Sequence, residues 1–392
     1  MQKLYPRLFL KPQKERSILN QHPWLFSGAV AHGDESIREG EIVEIYSADK
    51  KYLATGHYHE GSIKTRIFSF EETACDYEFW KKKLAAAIAL RQLLGYPSAD
   101  TNAFRLVNAE GDGLPGLIID IYNKTAVIQA HTKGMYQLRS VFCEALLELL
   151  PGIITTVYDK SFETSGENDE GGNSFLAGNE KHASILEHGI RFEVDVESGQ
   201  KTGFFLDQRE NRKLLAAYAN GKNVLNTFAY SGGFSLYALK ANAGLVHSVD
   251  SSKKAAELCE KNVASNFTAA NHAFFTEDVF DFLKKSSGQY DVMVLDPPAF
   301  AKHLSAVAKA TVGYRNLNAE AMKRISSKGI LFTFSCSQVI DKNLFRKIIF
   351  TSAIQARRNV KVLHQLTQPA DHPVSIYHPE GDYLKGLVLY VE

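Results

Sequence analysis

Two short stretches in the C-terminal third hold the residues best suited to chemistry: "LDPPAF", residues 295–300, and "SCS", residues 335–337. The first ends an apolar run with a carboxylate, Asp296, followed by two prolines whose rings fix φ and whose nitrogens carry no hydrogen. Asp296 is thereby set on a stiff support, with the carbonyls of Pro297 and Pro298 available to face a cleft. A planar base with an amino group needs acceptors of this kind, and Phe300 offers a ring to stack on it. The second stretch ends another apolar run with a thiol, Cys336. With an unperturbed pKa of about 8.5, a cysteine needs only modest activation to become a nucleophile. A thiolate added to C6 of a cytosine makes C5 nucleophilic enough to take a methyl group, and loss of the C5 proton and of the sulfur restores aromaticity. The same residues also fit plainer roles, a capping Asp in a turn and an inert packing cysteine. Transfer to an exocyclic amine or to a guanine ring nitrogen would use Asp296 and leave Cys336 structural.

Both stretches depend on the elements that carry them. From about residue 200 the chain alternates: strand "NVLNTF", helix from Gly232, strand "LVHSVD", helix from Lys253, strand "YDVMVLD", helix around 316–326, strand "GILFTFSCS", helix from Asp341. Such alternation predicts right-handed βαβ units and a parallel sheet with helices on both faces. Ligands of such sheets bind at the carboxyl ends of the strands. Neighbouring strands lie about 4.8 Å apart, so Asp296 and Cys336 are expected to flank one ligand.

Upstream of them lies a cofactor signal. In "NTFAYSGGFS", residues 226–235, Gly232 and Gly233 let the backbone turn tightly into a helix, without the GxGxxG of a dinucleotide loop. Asp250 follows Gly233 by 17 residues (250 − 233) at the end of the next strand, near the spacing at which a carboxylate meets ribose hydroxyls. Glu277 and Asp278 in "TEDVFDF" stand where an adenine edge would be met. The set suits a nucleoside cofactor without a pyrophosphate, such as S-adenosylmethionine, although Gly-Gly alone is also a plain turn and Asp a plain helix cap. "QKTGFFLDQRENR", residues 200–212, interleaves Phe204 and Phe205 with Lys201, Gln208, Arg209 and Arg212, and reads either as a solvated helix start or as an adenosine or RNA contact. Beyond Phe300, Lys302, His303, Lys309, Arg315, Lys323, Arg324 and Lys328 face only Glu320, a patch suited to phosphates or to a solvated helix face.

The rest of the chain adds smaller modules. Residues 1–72 read as short strands, with a turn at 49–51 between "GEIVEIYSA" and "YLATGHYH". Tyr77, Trp80, Leu84 and Ile88 then recur at helical spacing up to Gly95-Tyr96-Pro97. Residues 98–195 read as mixed α+β, with strands at "GLPGLIIDIY", "KTAVIQAHT", "GIITTVYDKS" and "RFEVDV", one helix at "MYQLRSVFCEALLELL", and an exposed loop at "TSGENDEGGNS". A length of 392 residues suits two or three domains. The reading divides it into a β-rich domain at 1–72, a central α+β domain at 73–195 and an α/β domain at 196–392. No run of about 18 uncharged apolar residues suggests a membrane span. "MQKLYPRLFLKPQKER" lacks the apolar core of a signal peptide, so a cytoplasmic home is expected. Cys75, Cys143, Cys259 and Cys336 show neither CxxC nor metal spacing, and no metal is expected. A formal charge of +1 gives no global attraction to nucleic acid, so such a partner needs a local basic patch.

At these residues the sequence resembles a bacterial family of ribosomal RNA large-subunit cytosine-5 methyltransferases that use S-adenosylmethionine. The resemblance rests on "HPWLFSGAV" (22–30), "EGDGLPGLIIDIY" (110–122), "KTGFFLDQRENR", "NTFAYSGGFS", "LDPPAF" and "SCS", which span nearly the whole chain. It implies an N-terminal PUA domain that binds RNA, a central α+β domain and a Rossmann-like methyltransferase domain. It implies Cys336 as nucleophile and Asp296 as the acid that binds the base. Phe228, Tyr230, the loop from Ser231 through Gly232 and Gly233 to Phe234, Asp250, Ser251 and Asp278 would hold the cofactor, with Gln208, Arg209 and Asp296 lining the site. Pro297, Pro298, Phe300, Lys302 and Arg315 would meet the RNA. Ala299 stands where RNA cytosine-5 methyltransferases with two cysteines carry the second thiol, so product release here must use another group. A non-catalytic RNA-binding assembly protein on a decayed methyltransferase fold is the alternative of another class. A homodimer is compatible with the sequence and not specified by it.

Overall fold

A computed structural model describes residues 5–162, 172–286 and 289–392. Most of the loop expected at 164–174 therefore lies outside the described residues. The chain divides into two compact units: residues up to His188 with Val194–Leu206 and Ala370–Gly381, and Gly189–Glu193 with Asp207–Pro369 and Asp382–Glu392.

The first unit holds two sheets. β1 (Arg7–Leu10), the short α1 (Arg16–Leu19), β2 (Trp24–Phe26), β3 (Val30–Gly33), β4 (Ile42–Tyr46), β5 (Tyr52–Tyr58) and β6 (Ile63–Ser69) build a six-stranded sheet in the order β2-β6-β5-β4-β1-β3. The expected turn between β4 and β5 carries Lys50 at φ +59°. α2 (Tyr77–Leu93) starts where Asp76 accepts from the Phe79 N–H at 3.0 Å, a carboxylate cap on an otherwise unpaired donor. It buries Trp80, Leu84 and Ile88 in a core shared with Phe68 of β6.

β7 (Ala103–Asn108), β8 (Leu117–Tyr122), β9 (Thr125–Ala130), β10 (Thr156–Asp159) and β11 (Ser174–Ala177) form the second sheet, and β12 (His182–Glu187) and β13 (Ile190–Asp195) follow in the chain. The single helix expected after β9 is two, α3 (Lys133–Gln137) and α4 (Arg139–Leu149), because Leu138 leaves helical geometry between them. Here the two motifs "GLIIDIY" and "KTGFF" meet. Asp120 of β8, fully buried, takes both oxygens to Arg105 at 2.8 and 2.9 Å and a third bond from Thr202 Oγ1 at 2.6 Å. Tyr122 Oη lies 2.8 Å from the same hydroxyl and accepts from the Phe204 N–H at 3.1 Å. A buried carboxylate that loses a donor carries its desolvation cost uncompensated. Thr202→Val is therefore expected to lower stability by about 1.5–3 kcal/mol, read as a lower urea midpoint at unchanged slope.

The second unit is the doubly wound sheet. α5 (Arg209–Ala219), β14 (Asn223–Thr227), α6 (Gly233–Lys240), β15 (Leu245–Asp250), α7 (Lys253–Asn266), β16 (His272–Thr276), α8 (Val279–Lys285), β17 (Val292–Leu295), α9 (Val307–Arg324), β18 (Gly329–Ser335), α10 (Lys342–Ala356), β19 (Val360–Leu366) and β20 (Lys385–Val391) follow in turn. The strand order is β16-β15-β14-β17-β18-β20-β19. The expected parallel pairing holds from β16 to β18. It fails at the far edge, where β20 runs antiparallel to both β18 and β19. The chain turns back there without a crossover helix, and antiparallel strands need none. Order reverses between β14 and β17, which puts the switch point beside the loops after those two strands.

Candidate functional site

The loop after β14 is bent by its backbone. Phe228 and Tyr230 have φ of +53° and +45°, left-handed conformations that side chains rarely adopt, and Gly232 caps α6 at φ +80°. Strain of this kind persists only where surroundings enforce it. They do so here: the Ala229 N–H donates to the Val249 carbonyl at 3.1 Å, Asn262 Nδ2 to the Ser231 carbonyl at 3.0 Å, and the Tyr230 N–H to Asp250 Oδ2 at 3.1 Å. A Cβ on Gly232 would meet Cys259 Sγ at 2.4 Å. Gly232→Ala is expected to weaken cofactor binding and to cost about 1–3 kcal/mol in stability from φ and crowding together. Calorimetry with S-adenosylmethionine on the single variant and on Gly232→Ala with Cys259→Ala checks this. The double variant should recover only in part, since the φ strain remains.

Asp250 closes this loop from β15, with Oδ1 accepting from the Ser252 N–H at 3.0 Å. Each carboxylate oxygen keeps a second lone pair for a hydroxyl donor. Ser251 is exposed beside it. Asp278, exposed after β16, accepts from the Asp281 N–H at 3.1 Å and so caps α8, while Glu277 pairs with Lys285. Phe234 is buried within α6. The chemistry of these donors fits a nucleoside cofactor: acceptors stand ready for hydroxyls and an amino group, and the backbone comes close where Gly232 leaves out a side chain.

The segment before β14 departs from a solvated helix start. Gln208, Arg209 and Arg212 are each 3% exposed or less. Arg212 packs beneath Gly233, whose added Cβ would stand 3.0 Å from its Cδ. Arg209 Nε lies 3.3 Å from Glu210 Oε1. Lys201 stays exposed with its ammonium 4.4 Å above the Phe205 ring. Gln208 Nε2 donates to Asp296 Oδ2 at 3.0 Å, and its Oε1 accepts from Asn211 Nδ2 at 2.6 Å. This chain of bonds fixes which end of the Gln208 amide faces the carboxylate.

Asp296 follows β17 and Cys336 follows β18, strands paired in parallel with Leu295 opposite Thr333. The sulfur is half-buried and lies 3.9 Å from the Pro297 carbonyl oxygen. The other three thiols are pushed up by burial, Cys75 to about 11 and Cys259 to about 12 with Cys143 also raised. Beyond Asp296, Pro297 is buried and Pro298 exposed, and Ala299 is half-buried. The loop then turns into the core: the Phe300 ring packs on fully buried Tyr314 at 4.5 Å, and the Ala301 N–H donates to Ser337 Oγ at 3.2 Å. Ser337 Oγ also lies 3.0 Å from the Tyr314 hydroxyl. The loops carrying Asp296 and Cys336 are thus tied through the Ser337 hydroxyl.

The basic stretch does not form one patch. α9 has 18 residues, roughly 27 Å of helix, and separates Lys302, His303 and Lys309 from Lys323, Arg324 and Lys328. Lys323 and Arg324 both reach Glu320, at 3.6 and 2.8 Å. Lys302 is exposed near Phe300, whereas Arg315 sits midway along α9, where its carbonyl accepts from Ser352 of α10 at 3.1 Å.

A family model described as S-adenosylmethionine-dependent methyltransferase matches residues 168–375, and one described as PUA-like domain matches residues 8–70. The chain is 37% identical to "Ribosomal RNA large subunit methyltransferase I" of Alteromonas mediterranea, covering 98% of both chains. It is 38% identical to the protein of that name in Klebsiella pneumoniae, covering 99% of both. The chain belongs to the ribosomal RNA large subunit methyltransferase I family. This methyltransferase shares its fold with a SAM-dependent methyltransferase from Streptococcus mutans, at TM-score 0.84 and 24% identity over 98% of this chain and 100% of that one. A methyltransferase solved in complex with SAH matches at TM-score 0.85 and 25% identity over the same shares. S-adenosylmethionine is the methyl donor of this family. Sequence reasoning assigned Phe228 and Tyr230 to the cofactor but missed their left-handed backbone, and it missed Lys385 of β20 altogether.

Proposed function

We propose that this methyltransferase forms 5-methylcytidine in large-subunit ribosomal RNA, with Cys336 as covalent nucleophile. One observation carries the reading: Asp296 and Cys336 follow neighbouring parallel strands, with the sulfur 3.9 Å from the carbonyl of Pro297, the residue after Asp296. The target RNA comes from the relatives' shared name. The Cys336 thiolate forms an S–C6 bond, and the C5=C6 electron pair becomes available at C5. Asp296 accepts from the exocyclic amino group, while Gln208 holds its other side through Oδ2. Gln208, grouped from sequence with the cofactor contacts, thus acts on the base through Asp296. The cofactor, when bound, supplies an electrophilic methyl group. A base then takes the C5 proton, the S–C6 bond breaks, and the thiolate returns.

Asp250, Ser251, Asp278 and the 228–234 loop are assigned to the cofactor. Pro297, Pro298, Phe300, Lys302 and Arg315 are assigned to the RNA, Phe300 with the face of its ring that Tyr314 leaves. The domain limits are kept at 1–72, 73–195 and 196–392, with RNA binding in the first. No helix among the described residues is long and apolar enough to cross a membrane. Action in the cytoplasm is assigned from the ribosomal RNA substrate. Whether the protein is a homodimer is read by light scattering, at 43.7 kDa or at twice that mass.

The test uses RNA from cells lacking the protein, incubated with purified enzyme and labelled S-adenosylmethionine, then digested to nucleosides for mass spectrometry. Label in 5-methylcytidine is the expected result. Label in a purine or an exocyclic amine overturns the reading.

A further inference from the structure

Lys385 opens β20 and is 3% exposed, an unusual place for an ammonium. Cross-strand pairing sets it opposite Ser335, the last residue of β18 and the one before Cys336. Its Nζ donates to the carbonyl of Ser337, the residue after Cys336, at 2.7 Å, and to the carbonyl of Tyr383 at 2.6 Å. The ammonium therefore grips the loop that carries the thiol. Carbonyls are neutral acceptors, so these two bonds satisfy two of three N–H groups and bring no counter-charge of their own.

Burial pushes Lys385 down to about 8, close to the range in which an ordinary thiol ionises. Four charged or ionisable groups then act on it. Cys336, Asp382 and Asp341 favour its protonated form, Cys336 the most of the three, and Lys342 opposes it. The two carboxylates are engaged elsewhere: Asp382 pairs with Lys342 and accepts from Thr367 Oγ1 at 3.2 Å, and Asp341 caps α10 through the Leu344 N–H at 2.7 Å. Tyr314 of α9 also interacts with the thiol and is itself pushed up by burial. Lys385 is thus the ammonium held against the chain on either side of Cys336, through the Ser337 carbonyl and the pairing with Ser335.

We propose that Lys385 is the buried counter-ion that holds Cys336 as a thiolate. The inference rests on Cys336 being the nucleophile. Its step is an acid dissociation: the S–H bond breaks, the proton passes to solvent, and the electron pair stays on sulfur. Lys385 is a positioning residue, since it acts through Cys336 and not on the base.

The experiment follows carbamidomethylation of the Cys336 peptide by iodoacetamide against pH, by mass spectrometry, in the full-length protein. The wild type should show a midpoint below about 8.5. Lys385→Met should raise that midpoint by about one unit or more, roughly a tenfold slower reaction at neutral pH, and Lys385→Arg should keep most of the shift. A Lys385→Met midpoint equal to the wild type overturns the proposal. A lysine that only pinned two carbonyls would give that result. Coupling between two ionisable groups is reciprocal, so a second measurement stands if Lys385→Met fails to fold. In Cys336→Ala, the 13Cε resonance of Lys385 should titrate at lower pH than in the wild type, and an unmoved titration overturns the proposal. Full activity in Cys336→Ala would sink the nucleophile reading itself. An inactive Cys336→Ala beside a thiol indifferent to Lys385 sinks this inference alone.

Discussion

Cys336→Ala is expected to lower methyl transfer to RNA by at least about 10³-fold while leaving S-adenosylmethionine affinity within twofold or so, since loss of a covalent nucleophile can cost about 10⁶ in other enzymes. C5 of cytosine is a poor nucleophile until sulfur adds at C6, and no other described thiol follows a neighbouring strand end. Cofactor binding should survive because the loop after β14 is two strands away from β18 in the sheet. Folding should survive as well: the side chain is half-buried, and truncation of a partly exposed residue usually moves stability by about 0.5 kcal/mol. Cys336→Ser should be nearly as inactive, a hydroxyl being both the weaker nucleophile and the worse leaving group. Single-turnover rates with labelled donor and calorimetry of cofactor binding check the two halves. A Cys336→Ala enzyme within tenfold of wild type would return the cysteine to a packing role.

Asp296→Asn is expected to cost about 10²–10⁴-fold in the same assay, the range for losing a positioned acid or base. The amide keeps an oxygen for Gln208 Nε2, now 3.0 Å from Asp296 Oδ2, so the local network and the fold should hold. What changes is the other side of the group, where an N–H can point at the amino group that a carboxylate would accept. Equal loss in Gln208→Leu would mean that orientation of the carboxylate matters as much as its charge. A thermal midpoint within about 2 °C of wild type, the shift expected of under 1 kcal/mol in a chain this long, separates loss of chemistry from loss of fold.

The alternation of strands and helices from residue 200 onward was legible because each βαβ unit is local and its handedness is fixed. That alone put Asp296 and Cys336 on neighbouring strand ends. Gly232 was legible as a turn because the conformation it adopts at φ +80° suits glycine above all residues. Phe228 and Tyr230 were not, since their left-handed backbone is imposed by Val249, Asn262 and Asp250 from elsewhere in the unit. The linear run of lysines and arginines misled for a geometric reason: Lys309 and Arg324, 15 residues apart on α9 (324 − 309), are about 22 Å apart in space. Lys385 was illegible because β20 returns antiparallel between β18 and β19, some 50 residues after Cys336, without the crossover helix that makes parallel pairing predictable. Gln208, Arg209 and Arg212 look like surface residues by type, and only their burial in the folded unit distinguishes them.

The most direct test of the covalent mechanism uses RNA in which cytosine is replaced by 5-fluorocytosine. Fluorine at C5 cannot leave as a proton does, so an enzyme that adds sulfur to C6 and methylates C5 is arrested as an adduct. The account predicts a denaturation-stable protein–RNA complex that needs S-adenosylmethionine, with the modified nucleotide on the peptide containing Cys336, and none with Cys336→Ala. Efficient methylation of ordinary RNA with no such complex on fluorinated RNA, or a complex that persists in Cys336→Ala, would contradict it.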